Sequence, residues 1–438
     1  MDSRPALLPQ QTTRSTSDPG PASQPLESEK AGASEPTVNP TPPLKRSINS
    51  RVVAGSRRFV FHTKDALLHS WINVLLIFVP VGIAVKVAGL SPAVVFAINA
   101  IAIIPLAGLL VYATESVASR LGNTLGALLN VSFGNSVELI IYIIALTKNE
   151  IRIVQASLLG SILSNLLLIL GMAFLLGGLR FQEQVYNNTV TQMSACLLSL
   201  SVISLLLPTA FHASFSNTAL ADHNTLKISR ATSVVLLIIY ILYLLFQLKS
   251  HAYLYESTPQ HIIDEESHPG ILADVLDTST AVLLLVSTAL VAVCAEFLVD
   301  SIPGMLSNST ISQEFVGLII LPIVSNAAEH FTAVTVAAKN KMDLAIGVSV
   351  GSSIQISLFV TPFIVILGWI IGRDMTLYFS LFETVCLFVT VFVVNFLVLD
   401  GRSNYLEGSL LMAAYTIIAV CAFFYPSSGD QSNIGGGA

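Results

Sequence analysis

Charge is what this chain has least of. Only 11% of its 438 residues are Asp, Glu, Lys or Arg, whereas 53% are hydrophobic, and the mean hydropathy is +0.74. Soluble domains carry about 25% charged residues, so a soluble fold is excluded and a polytopic membrane protein remains. Lys and Arg are missing altogether from residue 250 through 338. The net charge of −6 resides in tails and loops. Cysteine is scarce too: Cys196, Cys294, Cys386 and Cys421 all fall in apolar segments without metal-ligand spacing. They read as small core residues, which excludes a disulfide framework. The N-terminus has no apolar stretch, so no cleaved signal peptide is expected. No Walker-type phosphate loop occurs, which leaves an ATP-driven pump without its engine. No H-E-x-x-H occurs either, and at Glu329-His330 the first histidine of an H-x-x-E-H protease site is replaced by Asn326.

Long apolar runs are what the chain has instead. A spanning helix needs about 20 apolar residues. Eleven such segments are expected, near 70–88, 92–114, 122–147, 150–178, 190–209, 228–249, 278–299, 311–337, 342–370, 377–399 and 405–425. Ahead of them, residues 1–50 hold nine of the nineteen prolines. Residues 1–64 are therefore expected to be a disordered cytosolic tail. Arg51, Arg57, Arg58 and Lys64 precede the first span and favour a cytosolic N-terminus. The expected order is then a first helix (65–90), a half of five helices (91–250), an acidic cytosolic linker (251–277), a second half (278–426) and a luminal tail (427–438). The linker carries Asp264, Glu265 and Glu266. It is either a solvated loop or an acidic mouth that concentrates cations.

One pentapeptide occurs nearly twice. Gly134-Asn135-Ser136-Val137-Glu138 matches Ser325-Asn326-Ala327-Ala328-Glu329, and both lie in apolar runs. The agreement extends without gaps to Gly126 and Gly317, to Lys148-Asn149 and Lys339-Asn340, and to Gly160-Ser161 and Gly351-Ser352. This is an internal duplication. The motifs lie in the third and eighth spans. Five helices separate them, an odd number, so the second copy enters the membrane inverted. Inverted repeats place a transport site near the midplane, where the halves meet.

The motif chemistry points to a hard cation. A carboxylate within hydrocarbon is costly and by default functional. Residues three apart share a helix face, so Asn135 accompanies Glu138 and Asn326 accompanies Glu329. Calcium takes six to eight oxygens from carboxylates, carbonyls and water. Gly134 and Pro322 can loosen their helices and free backbone carbonyls. The fourth span offers Ser157, Ser161, Ser164 and Asn165; the ninth offers Ser349, Ser352, Ser353 and Gln355. Each serine can equally be an ordinary interhelical hydrogen bond. A buried carboxyl holds either a proton or part of a cation, and that competition is the core of cation/proton exchange. Glu115, Glu296 and His330 either line a proton or cation path or are satisfied structural groups.

The run Val324 to His330 and its partner Gly134-Asn135-x-x-Glu138 resemble the two signatures of the Ca2+/H+ exchangers of the cation/Ca2+ exchanger superfamily. The chain is most similar to the fungal vacuolar members, over about residues 65–426. Na+/Ca2+ exchangers carry proline before the motif glutamate; Val137 and Ala328 stand there in this chain. The resemblance implies an all-α protein of eleven spans, an acidic segment after the sixth, and a vacuolar membrane. It implies that Glu138 and Glu329 alternate between Ca2+ and H+. Gly134, Asn326, Ser161, Ser352 and Gln355 would complete the site, with Asn135 the matching ligand in the other state. No cofactor and no nucleic-acid partner is expected, only the bilayer and the transported ions. Mn2+/H+ exchange, Na+/Ca2+ exchange and a cation channel are the competing readings.

Overall fold

The computed structural model describes residues 71–119, 133–215, 218–252, 273–307 and 311–425, plus positions 121, 126, 128–130 and 309. The N-terminal tail, the acidic linker residues Asp264, Glu265 and Glu266, and the tail after 425 lie outside the described residues.

The described residues are almost wholly helical. Its helices are α1 (Ile72–Val87), α2 (Pro92–Ala118), α3 (Ser136–Thr147), α4 (Ile151–Phe181), α5 (Asn188–His212) and α6 (Ala219–Ser250). There follow α7 (Thr280–Ser307), α8 in two parts (Gln313–Ser325 and Ala327–Ala338), α9 (Met342–Ile370), α10 (Leu381–Leu397) and α11 (Tyr405–Phe423). Seven are long and apolar enough to cross a membrane, and the bent pair in α8 makes eight. The helices α1, α3 and α10 are apolar but shorter.

The sequence placed the start of the sixth span near 228, yet α6 already begins at Ala219. Its first turns carry Asp222, His223 and Lys227, which hydropathy discounts. Asp222 is held by His212 of α5 at 2.8 Å. A short antiparallel pair, β1 (Glu183–Val185) with β2 (Arg402–Asn404), was not foreseen. Three-residue strands carry no periodicity to read. The cysteines also differ from the core reading: Cys294 is buried, but Cys196 and Cys421 are exposed.

Helices α4 and α9 are mostly buried, whereas α6 and α11 largely face outward. The most extensive helix contact joins α2 to α7. Next comes α11 against the later part of α4. Glycine permits that approach: a Cβ on Gly408 would lie 2.2 Å from the Leu175 nitrogen.

The turn before α4 and the β1 strand after it are separated by the length of α4, about 45 Å at 1.5 Å per residue. Arg373 bonds to Asn149 and to the Thr147 carbonyl at one end. Gln184 bonds to Asn340 and to the Ala337 carbonyl at the other. The two ends are hereafter the Lys148 side and the Asn340 side. Asn149 and Asn340 occupy matching motif positions, and both have positive φ, 65° and 59°. Asparagine tolerates that region better than other side chains.

Candidate functional site

The two motifs form helix starts inside the membrane. Asn135 precedes the first turn of α3, and Glu138 lies in that turn. Asn326 precedes the second part of α8, and Glu329 lies in its first turn. At Asn326 the helix bends by 57°. Pro322 lies one turn earlier, and proline removes a backbone donor and crowds the preceding turn. Gly134 and Asn135 form the corresponding turn before α3. Each carboxylate therefore sits at the positive end of a half-helix, where negative charge is favoured.

Burial there is deep. Glu138 is 1% exposed, Asn135 2% and Asn326 0%. The Oε1 of Glu138 and the Oε2 of Glu329 are buried without a hydrogen-bond partner. Among the described residues no Lys or Arg forms an ion pair with either. A dry, unpaired carboxylate is costly until a proton or a cation neutralises it.

A chain of amides and hydroxyls joins the motifs. Asn326 Nδ2 donates to Asn165 Oδ1 at 3.0 Å. Asn165 Nδ2 donates to Ser352 Oγ at 3.0 Å, and Ser352 Oγ donates to Asn135 Oδ1 at 2.7 Å. His330 Nε2 lies 3.3 Å from Ser164 Oγ. The Gln355 side chain lies against Gly134, its Oε1 3.5 Å from where a Cβ would stand. Ser161 bonds to the Tyr142 hydroxyl at 2.9 Å. The α4 and α9 helices each carry a π-helical turn next to these residues, Ser164–Ile169 and Ile356–Val360. Such turns free backbone groups and recur at functional sites.

The structure thus gathers Gly134, Asn135, Asn326, Ser352 and Gln355 around the motif glutamates, and His330 beside them. Ser161 points instead to Tyr142. Glu296 is exposed on the Lys148 side, 3.6 Å from Lys148 Nζ. Lys148 is ten residues from Glu138, about 15 Å along α3. Glu115 is half-buried near the end of α2. Sequence reasoning treated Asn165 only as a polar neighbour and overlooked Tyr142. Tyr142 is four residues after Glu138, so the shared helix face was the available signal. The bridging role of Asn165 had none, because Ile356 holds the matching position in the second half.

The halves differ in exposure. Ser136, Val137 and Glu138 are buried, whereas Ala327, Ala328 and Glu329 are half-buried. Ala156 and Gly160 on α4 are buried; their counterparts Gly347 and Gly351 on α9 are exposed and half-buried. On the Lys148 side α4 and α8 are in backbone contact, since a Cβ on Gly160 would lie 2.3 Å from the Leu318 carbonyl oxygen. The second motif is thus less covered than the first among the described residues.

No three of His, Cys, Asp and Glu converge among the described residues. The donors are two carboxylates with amide and hydroxyl oxygens, a set suited to a hard cation and not to a soft metal. An unpaired acidic couple at broken helices in a multispan chain defines a membrane ion-transport protein. The model of the family described as sodium/calcium exchanger protein matches residues 91–249 and 279–424. The chain belongs to that family. It is 48% identical over 364 residues to a vacuolar calcium ion transporter of Schizosaccharomyces pombe, covering 83% of this chain and 87% of that protein. It is 43% identical to a Ca(2+)/H(+) antiporter of Aphanothece halophytica, covering 80% and 96%. The solved structure of native YfkE superposes with a TM-score of 0.68 at 33% identity, over 80% of this chain and 99% of that one. A crystal structure of the H+/Ca2+ exchanger CAX shares the fold at a TM-score of 0.61 and 12% identity.

Proposed function

We propose that this protein is a Ca2+/H+ antiporter that moves cytosolic Ca2+ into an acidic vacuole. The observation that carries this reading is the pair of motif glutamates at the broken helices, each with one buried carboxylate oxygen that has no hydrogen-bond partner. Such a pair accepts one Ca2+ or protons, but not both at once. The names of the relatives from Schizosaccharomyces pombe and Aphanothece halophytica support both ions.

Glu138 and Glu329 are the exchanging ligands. Gly134 by its carbonyl, Asn326, Ser352 and Gln355 supply further oxygens, Ser161 does so once it turns from the Tyr142 hydroxyl, and Asn135 serves the alternate state. Asn165 orients Asn326 and Ser352. The shorter helices α1, α3 and α10 complete eleven spans. Residues 91–250 and 278–426 are inverted repeats, an assignment supported by the matching Asn149 and Asn340 turns at opposite ends. The Asn340 side faces the cytosol and the Lys148 side faces the lumen, with the acidic linker around Asp264 to Glu266 at the cytosolic mouth. The half-buried Glu329 is then reached from the cytosol.

The energetics are sufficient. A proton leaving the lumen releases about 1.4 kcal/mol per pH unit. The membrane potential acts on net charge at about 2.3 kcal/mol per charge per 100 mV, so it contributes nothing when two protons exchange for one Ca2+ and one charge's worth when three do. A thousandfold Ca2+ gradient costs roughly 4 kcal/mol. Two protons over about two pH units, or three over about one, supply that.

The test is 45Ca2+ uptake into acid-loaded vesicles, with and without a protonophore, for wild type, Glu138→Gln and Glu329→Gln. Uptake is expected to collapse with the protonophore and to fall at least about tenfold in each variant, the factor that 1.4 kcal/mol represents. Uptake indifferent to the pH gradient would turn attention to Na+ coupling or a channel. Full activity in either variant would move the site elsewhere.

A further inference from the structure

The two serines that the repeat makes equivalent are bonded differently. Ser352 lies within the chain that joins the motifs, between Asn165 and Asn135. Ser161 instead lies 2.9 Å from the Tyr142 hydroxyl. That hydroxyl also reaches the Ser157 carbonyl of α4, at 3.1 Å. A tyrosine hydroxyl has one proton to donate. Both contacts are hydrogen bonds only when that proton goes to the Ser157 carbonyl and Ser161 donates to the Tyr142 oxygen. Tyr142 and Ser161 are 2% and 0% exposed, so bulk water does not compete for either hydroxyl.

Two features connect this pairing to cation binding. First, Tyr142 follows Glu138 by one turn on the same face of α3. One helix thus carries both the hydroxyl that holds Ser161 and the carboxylate that Ser161 would join around an ion. Second, the other motif has no such hydroxyl. The position matching Tyr142 is Ala333, four residues after Glu329 and also buried. Alanine there leaves Ser352 to the motif amides, whereas Tyr142 draws Ser161 to itself. A buried hydroxyl left without a partner is costly, so each serine takes the partner that its own half provides.

We propose that Tyr142 is a positioning residue that competes with Ca2+ for the Ser161 hydroxyl. In the cation-free protein Tyr142 keeps that hydroxyl satisfied. When Ca2+ binds, Ser161 turns to the ion and gives up the tyrosine; on release Tyr142 takes it back. The competition lowers the affinity of the site and speeds the departure of the ion. Its size is that of one net hydrogen bond, about twofold to tenfold in affinity. The role in transport rests on the antiporter reading above; the bond and its contribution to the cation-free protein do not.

The test combines equilibrium 45Ca2+ binding and thermal melting of the full chain in detergent at fixed pH with uptake into vesicles. The proteins compared are the parent, Tyr142→Phe, Ser161→Ala and the double variant. Without Ca2+, both single variants are expected to melt below the parent, and their effects to be non-additive because they remove one bond. Tyr142→Phe is expected to bind Ca2+ about twofold to tenfold more tightly than the parent. Ca2+ then raises its melting temperature by more than it raises the parent's. In vesicles its KM and its maximal rate are both expected to fall. In the double variant the gain in affinity is expected to disappear. A packing role alone would lower the melting temperature without tightening binding. Unchanged or weaker Ca2+ binding in Tyr142→Phe would overturn the competition, as would a gain that survives in the double variant. If Tyr142→Phe does not fold, Tyr142→Leu, which also lacks the hydroxyl, takes its place. Uptake indifferent to the pH gradient in the parent would overturn the antiporter reading while leaving the binding and melting comparisons interpretable.

Discussion

Asn165 joins the two motifs through both ends of one amide. Its carbonyl holds Asn326 and its amino group holds Ser352. Asn165→Ala removes both bonds and leaves the buried Asn326 amide without its acceptor, at a cost of about 1–3 kcal/mol, while Ser352 keeps its bond to Asn135. The expected outcome is a melting temperature lower by several degrees and a KM for Ca2+ raised several-fold, with proton coupling intact. Thermal melting in detergent and vesicle uptake check the two parts. Asn165→Asp is expected to behave differently. It adds a third carboxylate beside the pair and should weaken uptake while allowing tighter cation retention, which equilibrium 45Ca2+ binding would reveal. Glu138 and Glu329 were legible from sequence because an acid in an apolar run is conspicuous. Asn165 was not, because its meaning depends on which neighbour it reaches.

Helices in this protein meet through missing side chains. The α4–α8 contact depends on Gly160 and Gly317, where a Cβ would come within 2.3 Å of the Leu318 carbonyl and 2.6 Å of Ala156. Backbone atoms cannot yield as a flexible side chain does. Gly160→Ala is expected to destabilise the protein by about 1–3 kcal/mol, as overpacking does, and to slow uptake by separating α4 from α8. Gly108 on α2 is exposed with nothing within 4 Å of its Cβ position, so Gly108→Ala is expected to be neutral or slightly stabilising. Thermal melting of both variants provides the comparison. The duplicated glycines were visible in the sequence, but their roles diverge: Gly160 is packed against backbone, whereas its equivalent Gly351 is half-buried. A repeat predicts equal sequence environments, not equal contacts, because the two copies pack against different neighbours.

At the scale of the whole molecule the two ends are held differently. The Asn340 side is tied by the β1–β2 pair, by Gln184 to Asn340, and by the Asn187 amide to Asp343 at 2.6 Å. The Lys148 side is tied by ion pairs, including Arg152 with Glu383 at 2.8 Å and with Glu314 at 3.8 Å. Glu383 is fully buried and also caps α10 through Ser380, so Arg152 balances a charge that water does not reach. Loss of one partner of such a pair costs about 3–5 kcal/mol. Arg152→Met is therefore expected to be far more destabilising than Arg402→Met, whose partner Glu183 is half exposed; chemical denaturation ranks them. Sidedness is checked with an impermeant maleimide on intact vacuoles. Lys339→Cys should react from the cytosol and Asp374→Cys only after the membrane is opened. The reverse pattern would invert the proposed orientation.

Composition and patterning alone determined that this chain is a multispan membrane protein, that a motif recurs in its two halves, and that each copy carries a glutamate within an apolar run. Those properties follow from local physics: hydropathy per residue, periodicity along a helix, and the cost of an acid in hydrocarbon. Tertiary structure alone decided that Asn165 bridges the motifs, that Ser161 turns to Tyr142, and that Glu296 belongs to a surface ion cluster. Each of these depends on which of two nearly equivalent neighbours a side chain meets. Duplication makes such neighbours alike in sequence, and only packing breaks the tie.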